Sequence, residues 1–447
     1  MSLVVSHIEG AFAGKNGIKG NLLTGSQIIE REFGKGAPKF LFDLAEKVKH
    51  KSGITTRSMI EHETPTTYLL AAAGHRLIQN SGLDRSKIDG LFIGSNAPDF
   101  AYPPPEVLIA DTLEIKPRKW ANCAMGCASI VRAIETAIDW VEHYHCENIL
   151  ILLGDANTKL KTPKYSRKNY YEKLLFGDGA VALLISKGAV NQKGGFVVTD
   201  QSMEPKVARH VIHRKHYSSE QSSNGCTNGH SVINDNDSGY RLIAIYDSHE
   251  CAYVLKDYLM NSKDKIDEHV KVILPQIGKR IIQGVLDGFR EDTNIDLTPN
   301  LVNNSFTEYG NLGPAAIPAA WYLSKGVIRP DDKIMIPIVA LGGHTAFIQY
   351  DPEMRSSFHH VPIIQRKERS TVEELIQRKK EAMERHKEAE QKRARVGIGK
   401  IILNRVARFF HLPVPFGSGN GTGHEVSLDK LGQDTVVSAL RKELEVL

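Results

Sequence analysis

Along residues 1 to about 350, short unbroken apolar runs alternate with longer stretches in which apolar residues recur every three or four positions. GLFIGSN (90–96), NILILLGDA (148–156) and AVALLISK (180–187) are runs of the first kind, each ending near Gly, Asp or Asn. Runs this short, with no polar alternation, fit strands covered on both faces. TPTTYLLAAAGHRLIQNSG (64–82) and SIVRAIETAIDWVEHYH (129–145) are of the second kind. In the latter, Ile130, Ala133, Ile134, Ala137, Ile138 and Val141 share one helical face, and a closing Gly ends the former. The second half repeats the alternation, with VKVILP and KIMIPIVALGG reading as strands, IGKRIIQGVLDGFR and AAIPAAWYLSKG as helices. Such a pattern predicts an α/β layered fold.

Two stretches break the pattern. Residues 203–240 are rich in His, Ser, Asn and Gly and read as a polar insertion loop; their four histidines lack the spacing of a metal site. From Ile364 the chain turns highly charged. STVEELIQRKKEAMERHKEAEQKRAR (370–395) has too few apolar positions to pack a core, whereas IGKIILNRVARFFH (398–411) is amphipathic, with Ile398, Ile402, Val406 and Phe409 on one stripe. The organisation expected is therefore an N-terminal half over 1–190, a second half over 191–352 and a helical extension over 353–447.

Composition narrows this picture. With 447 residues and 41% hydrophobic content, the chain can bury a large core. Segment 364–411 carries 14 Lys/Arg against 7 Asp/Glu, an excess larger than the +5 of the whole chain, so the remainder is net acidic. Nothing outside that segment points to nucleic acid. The five cysteines lack framework spacing, no run is long enough to span a membrane, and the first residues do not read as a signal peptide. A soluble cytoplasmic protein is expected.

The chemistry-bearing stretch is ANCAMGCAS (121–129), where two cysteines four positions apart precede the helix at 129. Four readings stand side by side. Metal ligation needs further ligands that Cys146, Cys226 and Cys251 do not supply at matching spacing, and a redox pair normally uses CxxC. Core thiols are common. A nucleophile is favoured by placement, because a cysteine at the first turn of a helix meets unpaired N–H groups and the positive dipole end, which lower its pKa.

MGCASIVRAI resembles the active-site elbow of the β-ketoacyl-ACP synthase III-like branch of the thiolase superfamily, with Cys127 at the nucleophile. LLFGDGAVALLI (174–185) resembles that family's FGDGA segment. EYGNLGPAAIPAAWYLSKGVIRPDDKIMI (308–336) is similar to its GN-x-x-x-A-x-x-P stretch and puts Asn311 at the catalytic asparagine. ALGGHTAF (340–347) resembles the glycine-rich strand end at the oxyanion hole, and SGITTRSM (52–59) the early segment near the pantetheine entrance. The resemblance implies a thiolase-like five-layered fold of two similar α/β halves, plus the helical appendage. It implies a Cys-linked acyl-enzyme formed from acyl-CoA or acyl-carrier protein, with Cys127, Gly342 and Gly343 at the oxyanion and Lys51 and Arg57 near the CoA or carrier entrance. It also implies a homodimer, with no cofactor and no metal.

One position departs from the pattern. Where the family carries its catalytic histidine, in the turn of VKVILPQIGKR (270–280), this chain has Gln276. A glutamine amide donates a hydrogen bond but does not titrate and cannot act as a base. Claisen condensation of specialised metabolism, acyl transfer to an amine or hydroxyl, and a catalytically weak partner subunit of a heteromer all follow as readings. His344, beside the glycine turn, and His249, in YDSHECAY, are the candidates to replace the missing imidazole, each against the reading of a structural histidine. Cys123 reads as a packing residue. The stripe at 398–411 could contact a carrier, a membrane surface or the body of the protein.

Overall fold

In a computed structural model the described residues run from 2 to 361, apart from 16–17, 62–63, 100–101, 160–172, 190, 200–201, 204–236, 263, 341–343 and 357; Gln377 and Glu381 are described beyond them. Most of the polar stretch at 203–240 and the amphipathic segment 398–411 therefore lie outside the described residues. The chain divides into two compact units, Met1–Val372 and Glu373–Leu447. Within the second, Gln377 Nε2 donates to Glu381 Oε1 at 2.9 Å, one helical turn on.

The first half opens with β1 (Leu3–Phe12), β2 (Gly20–Leu23), α1 (Gly25–Phe33), α2 (Lys39–Ser52), β3 (Arg57–Ile60) and α3 (Thr66–Ser81). It continues with β4 (Gly90–Gly94), α4 (Pro105–Thr112), β5 (Lys119–Cys123), α5 (Ser129–Tyr144), β6 (Asn148–Ala156) and β7 (Asp178–Lys187). Its sheet has the order β1-β7-β6-β4-β5. The second half comprises β8 (Gly195–Thr199), β9 (Ser202–Met203), α6 (Asp237–Asn261), β10 (Val270–Val272), α7 (Lys279–Thr293), α8 (Phe306–Tyr309), α9 (Ala316–Leu323), β11 (Lys333–Ala340), β12 (His344–Asp351) and β13 (Phe358–Val361). Its sheet runs β10-β11-β12-β8-β13, with β9 beside β12. The sheet thus extends past residue 352, where the charged extension was expected to begin.

The unbroken apolar runs are explained by cover on both faces. Ile149, Ile151 and Leu153 of β6 enter one core together with α5, α9 and the even-numbered residues Ile334, Ile336 and Ile338 of β11. Leu150 and Leu152 point the other way, into a core built with α3. Successive side chains of a strand alternate faces, so a strand between two helical layers must be apolar at every position. Beyond the second sheet, Tyr258 of α6 stacks on Phe347 of β12 at 4.2 Å between centroids. The layers are helix, sheet, helix, sheet, helix, with α5 and α9 in the middle.

The two sheets repeat one pairing scheme. β4 pairs with β6 in parallel, β6 with β7 and β7 with β1 antiparallel. Likewise β10 pairs with β11 in parallel, β11 with β12 and β12 with β8 antiparallel. Where β5 flanks β4 in the first half, a parallel bridge between Val272 and Leu301 flanks β10 in the second. The chain therefore enters the middle layer twice by the same route, once into α5 and once into α9.

Candidate active site

The first entry is the turn carrying Cys127. Gly126 has φ +56°, the left-handed region that a side chain disfavours, and its N–H donates to Asn96 Oδ1 at 3.0 Å. A short 3₁₀ turn, Gly126–Ala128, then runs into α5. Met125 N–H donates to Ser129 Oγ at 3.3 Å. Cys127 is buried, and its Sγ lies 3.6 Å from the carbonyl oxygen of Gly313.

Gly313 belongs to the second entry. Its φ is +58°, it begins the 3₁₀ turn Gly313–Ala315, and α9 follows directly. Asn311, two residues earlier, is buried and accepts the Gly313 N–H on Oδ1 at 3.0 Å, which fixes the carboxamide's orientation. Its backbone is tied across the halves: Asn311 N–H donates to Leu175 O at 2.9 Å, and Gly177 N–H to Asn311 O at 3.0 Å. A Cβ on Gly177 would stand 1.9 Å from Tyr309 O, so this close approach admits only glycine. The FGDGA-like segment thus holds the asparagine turn against the cysteine turn.

Asp155, at the end of β6, organises the wall beside them. Its Oδ1 accepts from Ser95 Oγ (2.7 Å), Asn96 N–H (2.9 Å) and Ala97 N–H (3.1 Å), and its Oδ2 from Asn96 Nδ2 (3.2 Å). Asn96 is thereby oriented to receive Gly126. Burial outweighs these donors and pushes the Asp155 carboxyl up to about 6.

Burial also decides the state of the nucleophile candidate. The Cys127 thiol is pushed up to about 12, chiefly by desolvation, with the charges of Asp247 and Asp155 adding to it against its own backbone N–H. This reverses the lowered value expected from the helix terminus. Dipole and N–H stabilisation is worth far less than removing a thiolate from water beside two carboxylates. The resting site holds a thiol.

The remaining residues singled out in the sequence are placed as follows. Gln276 is buried and engaged locally: Nε2 donates to Leu274 O at 2.7 Å, and Oε1 accepts Ser305 N–H at 2.8 Å. It braces the loop after β10 against the start of α8, just before Asn311. His344 is half-buried at the first position of β12, opposite Ala340 and beside Met203. Gly342 and Gly343 lie outside the described residues. His249 turns outward on α6, its ring a third exposed and Nδ1 3.3 Å from Glu250 Oε1. Cys123, half-buried at the end of β5, packs against the central core. Lys51 is half-buried in the last turn of α2.

Arg57 is a correction. Expected near an entrance, it is fully buried, its Nε donates to Leu174 O, and neither Nη atom has a partner among the described residues. Desolvation lowers its guanidinium to about 10. It sits under the FGDGA-like segment rather than on a basic surface.

Sequence reasoning passed over Asn96 and Asp155. Both had a signal, since Asp155 stands at the end of β6 and Asn96 just past the end of β4, two parallel strands, where sites in α/β sheets gather.

The family model for 3-oxoacyl-[acyl-carrier-protein] synthase III matches residues 122–203, which include Cys127 and the FGDGA-like segment. A β-ketoacyl-[acyl-carrier-protein] synthase III of Bacillus anthracis is 22% identical over 301 residues, 67% of this chain and 86% of the relative. One from Natranaerobius thermophilus is 23% identical over 340 residues, 69% and 94% of the two chains. Among solved structures, the 3-oxoacyl-[acyl-carrier-protein] synthase III of Aquifex aeolicus superposes with TM-score 0.60 at 18% identity, over 78% of this chain and all of that one. Xanthomonas campestris OleA, solved with lauric acid and lauroyl-CoA, superposes with TM-score 0.62 at 13% identity, over 78% and 99%. The layered architecture described above is the fold of these proteins.

Proposed function

We propose that the chain, which is similar to the β-ketoacyl-ACP synthase III-like branch of the thiolase superfamily, is an acyltransferase working through a Cys127-linked acyl-enzyme. The observation that carries this reading is the meeting of the two turns: a buried cysteine 3.6 Å from Gly313, next to an asparagine whose amide is fixed by Gly313 N–H. The donor is an acyl-CoA or acyl-carrier protein. As Cys127 sulfur bonds to the acyl carbon, the donor's C–S bond breaks and the thiol proton passes to the leaving thiol. The donors proposed for the tetrahedral oxyanion are the backbone N–H groups of Cys127, Gly342 and Gly343.

In the second half-reaction a malonyl-type thioester loses CO2, and its enolate attacks the acyl carbon to give a β-ketoacyl thioester. Asn311 Nδ2, on the side of the amide away from Gly313, is the donor to the enolate oxygen. The reading is a Claisen condensation of specialised rather than housekeeping metabolism, because Gln276 and the charged extension both depart from the family pattern. Gln276 supports a second reading. Its amide is engaged by Leu274 and Ser305, so Asn311 acts without the usual partner, and transfer to an amine or hydroxyl needs no enolate.

Single-turnover assays separate the two. Pre-acylated protein mixed with malonyl-CoA or malonyl-carrier protein should release CO2 and yield a β-ketoacyl thioester. A stable acyl-enzyme that releases no CO2, yet discharges to amines or alcohols, would replace condensation with plain acyl transfer.

A further inference from the structure

The loop that carries Asn311 is held at two places. At its tip, Leu175 and Gly177 of the first half grip the Asn311 backbone from both sides. Its base is closed by one side chain: Ser305 Oγ donates to Ala316 O at 2.9 Å, joining the residue before α8 to the first residue of α9. Between these two ends lie α8, Asn311 and the Gly313 turn. Ser305 is fully buried, and all its polar groups are used. Its N–H goes to Gln276 Oε1 (2.8 Å), its Oγ to Ala316, and its carbonyl receives Tyr309 N–H (3.1 Å).

Gln276 fastens that base to the second sheet. Ile273 N–H donates to Met335 O of β11 at 2.9 Å, which fixes the backbone leaving β10. One residue on, Leu274 O receives Gln276 Nε2 at 2.7 Å, while Gln276 Oε1 receives Ser305 N–H. These partners dictate which end of the amide points where, since a carbonyl oxygen only accepts and an N–H only donates. The side chain must therefore donate at one end and accept at the other, in a place 1% exposed. Leaving either end unsatisfied there is costly, so both bonds resist opening.

We propose that Gln276 is a positioning residue: through Ser305 it fixes the base of the Asn311 loop and so sets where the asparagine amide and the Gly313 carbonyl stand relative to Cys127. Where the resemblance expects an imidazole that reacts, this chain has an amide that holds. The inference rests on the Cys127 acyl-enzyme reading and concerns its second step, discharge of the acyl group. Misplacing a reacting group by about 1 Å costs on the order of 100-fold, so a clasp at the base of the loop acts on rate without touching substrate.

The test pairs amide hydrogen exchange with single-turnover kinetics in wild type, Gln276→Met, Gln276→Glu and Ser305→Ala. In the resting protein, Gln276→Met should speed exchange in peptides spanning 305–316 about tenfold, the worth of a lost hydrogen bond, and leave the first sheet unchanged. In turnover it should acylate Cys127 within about tenfold of wild type and discharge to malonyl-CoA about 100-fold more slowly. Gln276→Glu distinguishes a clasp from a space-filler. Its carboxylate still accepts Ser305 N–H but has no hydrogen for Leu274 O; once protonated, it donates there. Burial brings such a carboxyl into the range between about pH 6 and about pH 9. Leu274 O, Ser305 and Ala316 O do not titrate, so exchange and discharge, each relative to wild type at the same pH, should return toward wild type as pH falls. A Glu variant that tracks Gln276→Met at every pH would overturn the clasp.

Ser305→Ala, which removes the closing bond but keeps the backbone N–H, should slow discharge about tenfold. Combined with Gln276→Met, it should add less than about twofold to the loss of Gln276→Met alone, because the two act in one chain of contacts. If Gln276 instead gave its second Nε2 hydrogen to the enolate, the two losses would multiply and exchange over 305–316 would keep the wild-type rate, which overturns the proposal. Equal losses in acylation and discharge with lower thermal melting would mean a general structural role and overturn it too. A wild type that acylates but releases no CO2 would remove condensation, while exchange still decides the clasp. No adduct at all would overturn the acyl-enzyme reading and the positioning role with it.

Discussion

Two short segments invite a direct comparison: MGCASI (125–130) and LGPAAI (312–317). Each has a glycine in second place, at φ +56° and +58°, makes one 3₁₀ turn and runs into a helix of the middle layer. They occupy matching places in the two halves, and they face each other. The difference lies at the third position, Cys127 in one and Pro314 in the other. One turn presents a nucleophile. The other can present only backbone, and it offers the Gly313 carbonyl to that nucleophile's sulfur and the Gly313 N–H to Asn311. A repeated turn is divided into a reacting element and a positioning element.

The largest expected effect comes from separating the turns. Gly177→Ala places a methyl against Tyr309 O, a backbone atom that cannot yield without breaking the strap around Asn311. A loss of about 3 kcal/mol or more is expected in denaturant unfolding, in the range of forced backbone displacement. Next, Asn311→Ala should spare Cys127 acylation to within about tenfold yet slow CO2 release about 100- to 1000-fold, as for other removed oxyanion donors. Equal losses in both steps would mean that the second turn positions Cys127 and does nothing more. Third, Gly126→Ala and Gly313→Ala both incur left-handed strain of about 1–2 kcal/mol. Only the second brings a Cβ to 3.0 Å from Asp155 Oδ2, whereas nothing lies within 4 Å at Gly126. Calorimetric melts should therefore rank Gly313→Ala below Gly126→Ala.

The smallest effect is a pH slope. Asp155 is raised from its ordinary value to about 6 in the folded protein. Between about pH 4 and 6 the folded state holds more protons than the unfolded one, so stability should fall as pH rises through that window, by about 3 kcal/mol in total. Asp155→Asn should flatten the slope. Its amide would also oppose Asn96 Nδ2, loosening the hold on Gly126, so Cys127 acylation should slow modestly, about tenfold.

Much of the fold is legible in the sequence because its signals are local. Strands covered on both faces must be apolar at every position, and Ile149–Leu153 is so; α5 carries its stripe openly. Cys127 is legible because a glycine precedes it and a helix follows. Its protonation is not, since burial beside Asp247 and Asp155 arises from distant segments, while the dipole argument sees only the helix. Arg57 looks like a surface cation within SGITTRSM; that the FGDGA-like segment covers it is a tertiary fact. The likeness of MGCASI to LGPAAI is also in the sequence, visible only once both are compared as turns.

The central claim is that Cys127 takes the acyl group. It is tested most directly by intact-mass spectrometry of wild type and Cys127→Ala after exposure to acyl-CoAs of several chain lengths and to acyl-loaded carrier protein. The expected result is a single acyl mass increment on wild type with at least one donor and none on Cys127→Ala. An increment that persists in the alanine variant, or none on wild type with any donor, would contradict the account and leave a partner subunit as the better description.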